Sequence, residues 1–182
     1  MTSADDVVRR TLAAPPTFGG GWLLCVDGPA GSGKTTFAAG VRRAVPGQVS
    51  CRVVHLDDLY PGWDGLRAGV EHVAAHVVAP MARGEDGRYL RYDWIAGRPG
   101  EWVDVPRVDL LVLEGVGSGA LAYADLITTL VWVEADDDVR LARGVARDGI
   151  ASRESFEKWM ADEAPYLAEQ RTRERADMVV HT

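Results

Sequence analysis

The chain has 182 residues, 47% of them hydrophobic, which is enough for one domain with a sizeable core and too little for a second independent domain. Its formal net charge of −7 argues against the basic surface of a nucleic-acid binder, so no nucleic acid is expected among its partners. No apolar run approaches the roughly 20 residues of a membrane-spanning helix, so no membrane partner is expected either.

The first 20 residues predict a short helical lead-in that ends at two prolines and three glycines. Asp5 and Asp6 lie in this segment, which lacks the apolar core of a secretory signal. Cys25 and Cys51 each stand in an apolar run and are interpreted as reduced core residues, in preference to a disulfide or a metal site. Together these features predict a cytoplasmic protein. The absence of asparagine and the excess of arginine over lysine suggest a GC-rich bacterial genome.

A strand, a glycine-rich loop and a helix are predicted next, in that order. Residues 22–26 form a continuous apolar run typical of a buried strand, and residues 34–44 can form a helix that stops near a Pro-Gly pair. Between them, residues 28–35 read Gly-Pro-Ala-Gly-Ser-Gly-Lys-Thr, which matches the pattern G-x-x-x-x-G-K-[ST]. This context favours a phosphate loop over a glycine-rich turn with an incidental lysine.

The residue types of this phosphate loop (residues 28–35) predict its chemistry. Glycines allow backbone N–H groups to turn toward phosphate oxygens, at the positive end of the following helix. Lys34 can reach the β- and γ-phosphates, and the Thr35 hydroxyl can bind Mg²⁺. ATP and Mg²⁺ are therefore the expected cofactors. The residues predicted to hold the nucleotide are Gly28, Ala30, Gly31, Ser32, Gly33, Lys34, Thr35 and Thr36.

The remainder of the chain alternates predicted strands with predicted helices. Strands are predicted at residues 51–56, 110–113, 127–133 and 178–180. Helices are predicted at residues 66–81, from the acids at 136–138 to about 148, and from an N-cap at Ser152 to 169 or beyond. Residues 84–106 lack a clean period and are expected to be irregular. Because each strand is apolar throughout, the pattern predicts a three-layer αβα fold with a five-stranded, mainly parallel sheet.

Two carboxylates are predicted at the carboxyl edge of this sheet, where ligands bind in such folds. Asp57 follows the second strand and can orient and deprotonate a hydroxyl group, with capping of the next turn as the alternative. Glu114 ends an apolar strand and is expected to bind Mg²⁺, with capping of the following glycines as the alternative. For Asp58 the capping role is favoured. His55 shares a strand face with Asp57 and is interpreted as a packing residue rather than a catalytic one.

The arginines fall into two groups. Arg140, Arg143 and Arg147 recur at three- and four-residue spacing, so they can share one helix face. That face could close over the phosphates or be a solvated stripe, and the first role is favoured for Arg143 and Arg147. A second group would suit an acceptor that already carries phosphate or carboxylate, or would simply lie on the surface. Its members are Arg83, Arg88, Arg91 and Arg98.

The motifs distinguish among classes of phosphate-loop protein. A GTPase needs an asparagine to read guanine, which the chain lacks, and the strand at 110–113 ends in Glu-Gly rather than the Asp-Glu usual in mechanical ATPases. Along roughly residues 22–180, the motifs resemble, in order, those of the uridine kinase-like phosphate-loop kinases, related to phosphoribulokinase and bacterial pantothenate kinase. The matching segments are residues 28–36, 57–60, 92–94, 113–115, 140–148 and 176–180.

The resemblance implies a single kinase domain over residues 1–182, with an acceptor-binding region at about 58–106 and a lid at about 136–155. It implies that Asp57 is the catalytic base and holds Mg²⁺ together with Thr35 and Glu114. The implied charge-stabilising residues are Lys34, Arg143 and Arg147. The implied acceptor-binding residues are Tyr60 and Tyr92, with packing in the core as the alternative for each, and Arg91 is expected beside them.

Two positions depart from the family pattern. Gly144 stands where a second lid arginine is usual, and Gly97 stands where a pyrimidine-contacting histidine is usual. Both departures weaken the case for uridine itself as the acceptor.

The leading hypothesis from the sequence is an ATP-dependent kinase that transfers the γ-phosphoryl group to a hydroxyl of a nucleoside-like small molecule. A nucleoside monophosphate kinase is the enzyme alternative, motivated by the arginines between residues 83 and 98. An ATP-binding regulatory module that transfers no phosphate is the alternative from another class.

Overall fold

The computed structural model describes residues 2–182 and has a five-stranded sheet at its centre. The helices and strands, in chain order, are α1 (Ala4–Ala13), β1 (Trp22–Asp27), α2 (Lys34–Ala44), β2 (Cys51–His55), α3 (Leu66–Val73), α4 (Ala79–Ala82), β3 (Gly87–Asp93), β4 (Arg98–Val105), β5 (Leu110–Glu114), β6 (Thr129–Glu134), α5 (Asp137–Asp148), α6 (Arg153–Gln170), α7 (Thr172–Arg175) and β7 (Met178–His181). The sheet has the order β2-β5-β1-β6-β7, and each neighbouring pair is parallel. The predicted fold class is confirmed.

The sheet is covered on both faces, which explains why its strands are apolar throughout. Along β5, Leu110 and Val112 point to a cluster that includes α1 and α2 residues, whereas Leu111 and Leu113 point to a second cluster. The second cluster is built from α3, α6 and the pair of strands β3 and β4. The three layers are therefore α1 with α2, the sheet, and the remaining helices with their attached hairpin.

The register of the sheet brings three strand ends together. Glu114 at the end of β5 pairs with Val26 of β1 and with His55 of β2. β2 ends at His55, one residue earlier than predicted, and a 3₁₀ turn (Leu56–Asp58) follows it. Residues after these strands therefore emerge at one edge of the sheet, as the sequence predicted for Asp57 and Glu114.

The expectation of an irregular segment at residues 84–106 is wrong. The segment is an antiparallel hairpin of β3 and β4, with a shift in register between Leu90 and Tyr92. Most of β4 is exposed, so its sequence lacks the alternation of apolar and polar residues that marks a half-buried strand. Buried Tyr89 and Val105 attach the hairpin to the core.

The predicted helices lie where the sequence indicated, with differences in detail. The helix predicted at 66–81 contains a π-helical turn (Ala74–Val78) between α3 and α4. Ser152 directly precedes α6, but its hydroxyl donates to the Gly149 carbonyl (2.7 Å), so the prediction that its side chain caps the helix is wrong. Within residues 2–182, no helix combines the length and apolar character that a membrane crossing requires.

Candidate functional site

A cleft of about 1140 Å³ opens at the edge where β1, β2 and β5 end. Its lining includes the phosphate loop, the start of α2, the tip of the β3–β4 hairpin and the second half of α5. His55 at the end of β2, Asp57 in the turn that follows, and Glu114 at the end of β5 also line it. The location agrees with the rule that open parallel sheets bind ligands beyond the carboxyl ends of their strands.

The backbone of the phosphate loop has the conformation that a glycine-rich cradle requires. Gly28, Gly31 and Gly33 have φ values of 143°, 77° and 91°, which residues with a side chain rarely adopt. A Cβ atom at Gly28 or Gly31 would also collide with the backbone of Val133 or Arg140. The loop therefore depends on glycine at these positions both for its conformation and for its close packing against β6 and α5.

The polar groups of the loop suit an anion. α2 begins at Lys34, and no side chain caps its N-terminus at Gly33, so backbone N–H groups there are available to a ligand. The Lys34 ammonium folds back onto the Pro29 carbonyl (2.9 Å). The Ser32 hydroxyl is buried and has no hydrogen-bond partner in the described chain. A phosphate group would supply acceptor oxygens to the uncapped N–H groups and a charged partner to Lys34, so the residues present fit a nucleotide.

Glu114 is the most buried carboxylate of the cleft, at 4% exposure. It accepts a hydrogen bond from the Thr35 hydroxyl (3.0 Å) and pairs with His55 through Nδ1 (2.6 Å). No lysine or arginine pairs with it in the part of the chain described. A carboxylate and a hydroxyl joined at the end of the phosphate loop fit a hard cation such as Mg²⁺, which takes one or two protein oxygens and completes its shell with phosphate and water.

The cleft by itself is not a complete metal centre. Among residues 2–182, no three His, Cys, Asp or Glu side chains converge as ligands for a metal ion. This arrangement suits a metal that arrives with a nucleotide better than a resident structural ion.

His55 takes a position that the sequence interpretation missed. It lines the cleft instead of serving only as a packing residue, and its ring contacts the carboxylate of Glu114. That hydrogen bond raises the pKa of His55, against the opposing effect of partial burial. Its position at the carboxyl end of β2, two residues before Asp57, was the only signal in the sequence.

Asp57 lies in the 3₁₀ turn after β2, with its side chain 57% exposed toward the cleft. Its carboxylate lies 3.9 Å from Arg147 Nη1, and its backbone carbonyl accepts the indole N–H of Trp94 (2.8 Å). Desolvation within the cleft and the nearby charge of Glu114 raise the pKa of Asp57, while Lys34 and Arg147 oppose this rise. The neighbouring Asp58 also lines the cleft and accepts the Tyr89 hydroxyl (3.2 Å).

The three arginines of α5 lie in two different environments. Arg143 and Arg147 line the cleft, and Arg147 is held by Asp148 through two hydrogen bonds of 2.7 Å. Arg143 donates to the Thr182 hydroxyl (2.8 Å). Arg140 is buried instead, where it bonds to the Ala30 carbonyl and to Glu163. Glu163 itself was not predicted as a site residue, although it accepts the Ala30 N–H.

Aromatic side chains form the far side of the cleft. Tyr60, Trp63, Trp94 and Trp159, here called the aromatic wall, line it together with Ile95 at the hairpin tip. The rings of Trp63 and Trp94 lie 5.5 Å apart, and those of Tyr60 and Trp159 lie 4.9 Å apart. Of the wall, the sequence assigned a role only to Tyr60, which is buried and donates to the Val116 carbonyl (2.7 Å).

Tyr92 and the second group of arginines lie away from the cleft. Tyr92 is not among the described lining residues, and its ring packs against Trp94 from behind (5.3 Å). None of Arg83, Arg88, Arg91 and Arg98 belongs to the described lining either. Arg91 pairs with Glu101, Arg83 pairs with Glu85, and Arg88 stacks over Trp102 (4.7 Å). These cations therefore do not form an anion site in the cleft.

Comparison with known proteins bears on the fold. The chain is similar to a possible uridine kinase from Bacillus stearothermophilus, with 20% identity and a TM-score of 0.67 over 97% of this chain and 96% of the other. It is also similar to a candidate fructose transport system kinase from Silicibacter sp. TM1040, with 18% identity and a TM-score of 0.59 over 98% and 99% of the two chains. No protein-family model matches the chain, and no curated protein matches it significantly. The chain thus has the α/β fold of phosphate-loop kinase structures.

Proposed function

We propose that the protein is an ATP-dependent kinase that transfers the γ-phosphoryl group to a hydroxyl of a small molecule. The observation that carries this proposal is the pairing, within one cleft, of the phosphate loop with an aspartate that faces an aromatic wall. A phosphate loop alone would support any nucleotide binder. A carboxylate between that loop and a second, differently lined half of the cleft supports a reaction between two substrates.

In this proposal the phosphate loop and Lys34 bind the triphosphate of ATP. Thr35, Glu114 and Asp57 would hold Mg²⁺ through oxygen atoms, and the ion, when bound, neutralises charge on the β- and γ-phosphates. Lys34 fits this role because its ammonium is nearly buried and is bound only to a neutral carbonyl in the described chain. A phosphate oxygen is the stronger partner for such a charge.

Asp57 would orient the acceptor hydroxyl and take its proton as transfer proceeds. It lies at the boundary between the phosphate side of the cleft and the aromatic wall, where the attacking oxygen has to stand. Arg143 and Arg147 would stabilise the negative charge on the transferring phosphoryl group, since both line the cleft from α5. Closure of that region over the substrates would also exclude water, which competes as an acceptor.

The lining of the far half favours an acceptor with an apolar or planar face and no anionic group. The indole N–H groups of Trp94 and Trp159 donate to Asp57 and Glu163 within the protein, so these two residues offer ring surfaces rather than donors. Asp57 and Asp58 line the cleft beside this wall and can accept hydrogen bonds from hydroxyl groups, and Arg147 lies 3.9 Å from Asp57. A nucleoside or another polyhydroxyl metabolite satisfies both requirements.

An acceptor panel tests the proposal. The protein is incubated with ATP·Mg²⁺ and, separately, with nucleosides, nucleoside monophosphates, sugars and pantothenate-like alcohols, and ADP release is measured against release without acceptor. Acceptor-dependent ADP release with an uncharged alcohol supports the proposal. Preference for a monophosphate would instead support the nucleoside monophosphate kinase, and slow hydrolysis unaffected by every acceptor would support a regulatory module.

The substitution Asp57→Asn separates transfer from binding. We expect kcat to fall by about 100-fold or more, as for loss of a general base, while the affinity for ATP changes little. Asp64→Asn is the matched control, because Asp64 is an exposed carboxylate that bonds to Lys158 and is absent from the described cleft lining. Equal kcat values for both variants would remove Asp57 from the mechanism.

A further inference from the structure

A buried ion pair lies behind the phosphate loop. Glu163 of α6 is 1% exposed and bonds through Oε1 to Nη2 of Arg140 in α5 (2.5 Å). Buried ion pairs contribute little net stability, because the loss of hydration offsets most of the attraction between the charges. Retention of this pair beside the proposed nucleotide site therefore calls for a role other than stability.

Both members of the pair hold the same residue of the loop. The Ala30 N–H donates to Oε1 and Oε2 of Glu163 (3.1 and 2.9 Å), and Arg140 Nε donates to the Ala30 carbonyl (2.8 Å). The next residue, Gly31, packs so closely on α5 that a Cβ atom there would lie 2.9 Å from Arg140 Cα. Any displacement of Ala30 would consequently shift the glycines that form the cradle.

The charge of Glu163 would by itself oppose binding of a phosphate. Burial raises the pKa of Glu163, while Lys34, the Ala30 N–H and Arg140 act in the opposite direction and favour the ionised form. A carboxylate near the proposed triphosphate site repels it, so any benefit of Glu163 to nucleotide binding comes from the position it gives the loop. The charge of Glu163 lowers nucleotide affinity, whereas its hold on the loop raises it. A measurement of nucleotide affinity after removal of the charge therefore shows which of the two effects is larger.

The same carboxylate reaches the other half of the cleft. Trp159 of the aromatic wall donates its indole N–H to Glu163 Oε2 (2.9 Å). One buried side chain thereby fixes both the phosphate loop and a residue of the wall, and it connects them through direct hydrogen bonds.

We infer that Glu163, together with Arg140, is a positioning residue that fixes Ala30 and so orients the N–H groups of the phosphate loop for nucleotide binding. This inference rests on the proposed function, since it assumes that the loop holds a nucleotide. Neither side chain touches a reacting atom, so their effect is on nucleotide affinity through the loop.

Calorimetric titration with ADP·Mg²⁺ tests the inference in three variants, with thermal unfolding measured in parallel. Glu163→Gln keeps the shape of the side chain but removes its charge and one acceptor. Arg140→Lys keeps the charge but loses the planar fork that reaches Ala30 and Glu163 together. Asp177→Asn is the matched control, because Asp177 also accepts a backbone N–H (Leu130, 2.9 Å) and an arginine (Arg10, 2.8 Å) and lies outside the described cleft lining.

We expect Kd for ADP to rise roughly tenfold in Glu163→Gln and in Arg140→Lys at a temperature where both are folded, as for loss of one well-placed hydrogen bond. Asp177→Asn should lower the unfolding temperature without changing Kd. Tighter binding by Glu163→Gln would mean that charge dominates over position and would overturn the inference. Unchanged affinity for ADP in either folded variant would also overturn the inference, and so would failure of both variants to fold. Failure of the unaltered chain to bind ADP would instead overturn the proposed function.

Discussion

Gly144 of α5 packs directly against α6, and its replacement by alanine tests the packing that sets the position of Arg143 and Arg147. A Cβ atom at this residue would lie 2.5 Å from Cε2 and Cζ of Phe156 and 2.7 Å from Cδ2. Ordinary contacts between such atoms begin at about 3.4 Å, so the ring or the helix has to move by roughly 1 Å. Phe156 is only 1% exposed, so a shift of its ring has to displace neighbouring groups.

The expected change in stability is the difference between two effects. In an unhindered helix, Gly→Ala stabilises the folded state by about 1 kcal/mol, because alanine loses less backbone freedom on folding. Extra volume in a packed core costs about 1–3 kcal/mol. We therefore expect Gly144→Ala to lower the free energy of unfolding by up to about 2 kcal/mol. Arg143 and Arg147 flank Gly144 on α5, so the same displacement should also reduce phosphoryl transfer.

Urea unfolding followed by circular dichroism measures this change, with Gly40→Ala as the control. Gly40 lies inside α2, where a Cβ atom would come no closer than 3.4 Å to Ala4 Cβ, so this variant should be about 0.5–1 kcal/mol more stable than the unaltered protein. Phe156→Leu should make room at Gly144 and reduce the loss in the double variant. A gain in stability for Gly144→Ala equal to that of Gly40→Ala would refute the packing argument.

Three further predictions concern single side chains. Lys34→Ala should lower ATP affinity or kcat by at least about 100-fold in a titration or transfer assay, and normal values for both would remove the phosphate loop from the function. Thiol labelling should modify Cys51 slowly and Cys25 only on unfolding, because burial raises both pKa values and Cys25 is fully buried; fast labelling of Cys25 would contradict this core position. His72 accepts the Leu90 N–H (3.0 Å), and burial lowers its pKa, so the stability it contributes should be lost as pH falls below about 6.5. Urea unfolding at pH 7 and 5 should show a smaller pH effect in His72→Gln, and an equal effect would exclude this role.

The parts of the fold that the sequence predicted best are those in which two signals coincide. The phosphate-loop pattern ends within the first turn of α2, and a Pro-Gly pair follows its last turn, so the predicted bounds of α2 (Lys34–Ala44) agree with the structure. The β3–β4 hairpin was missed because β4 is mainly exposed and its register shifts. Such a strand is held by its partner strand and by a few buried anchors, which no local pattern reveals.

Prediction of the candidate site was also limited by contacts between residues that are far apart in the sequence. Asp57 and Glu114 were predicted from the rule that parallel strands end at a common edge, and Thr35 was predicted from the phosphate-loop pattern; the structure places all three in the cleft lining. Glu163 was missed because its contact with Ala30 spans 133 residues of sequence. On its own helix it is one acidic residue among several, and only the packing of α6 behind the phosphate loop gives it a special position.

One of the two departures from the kinase pattern has a steric reason, and the other lies in the turn of the β3–β4 hairpin. Gly144 leaves room for Phe156, which excludes a second arginine at that point of α5. Gly97 lies in the hairpin turn with φ of 63°, a conformation that glycine adopts readily, and a Cβ atom there would meet no atom within 4 Å. The hairpin tip instead extends Trp94 and Ile95 into the cleft. The phosphate side of the cleft is built on the sheet edge, and the acceptor side is built on this hairpin. Substitutions in the hairpin can therefore change the chemistry of the acceptor side without disturbing the sheet edge that holds Lys34 and Glu114.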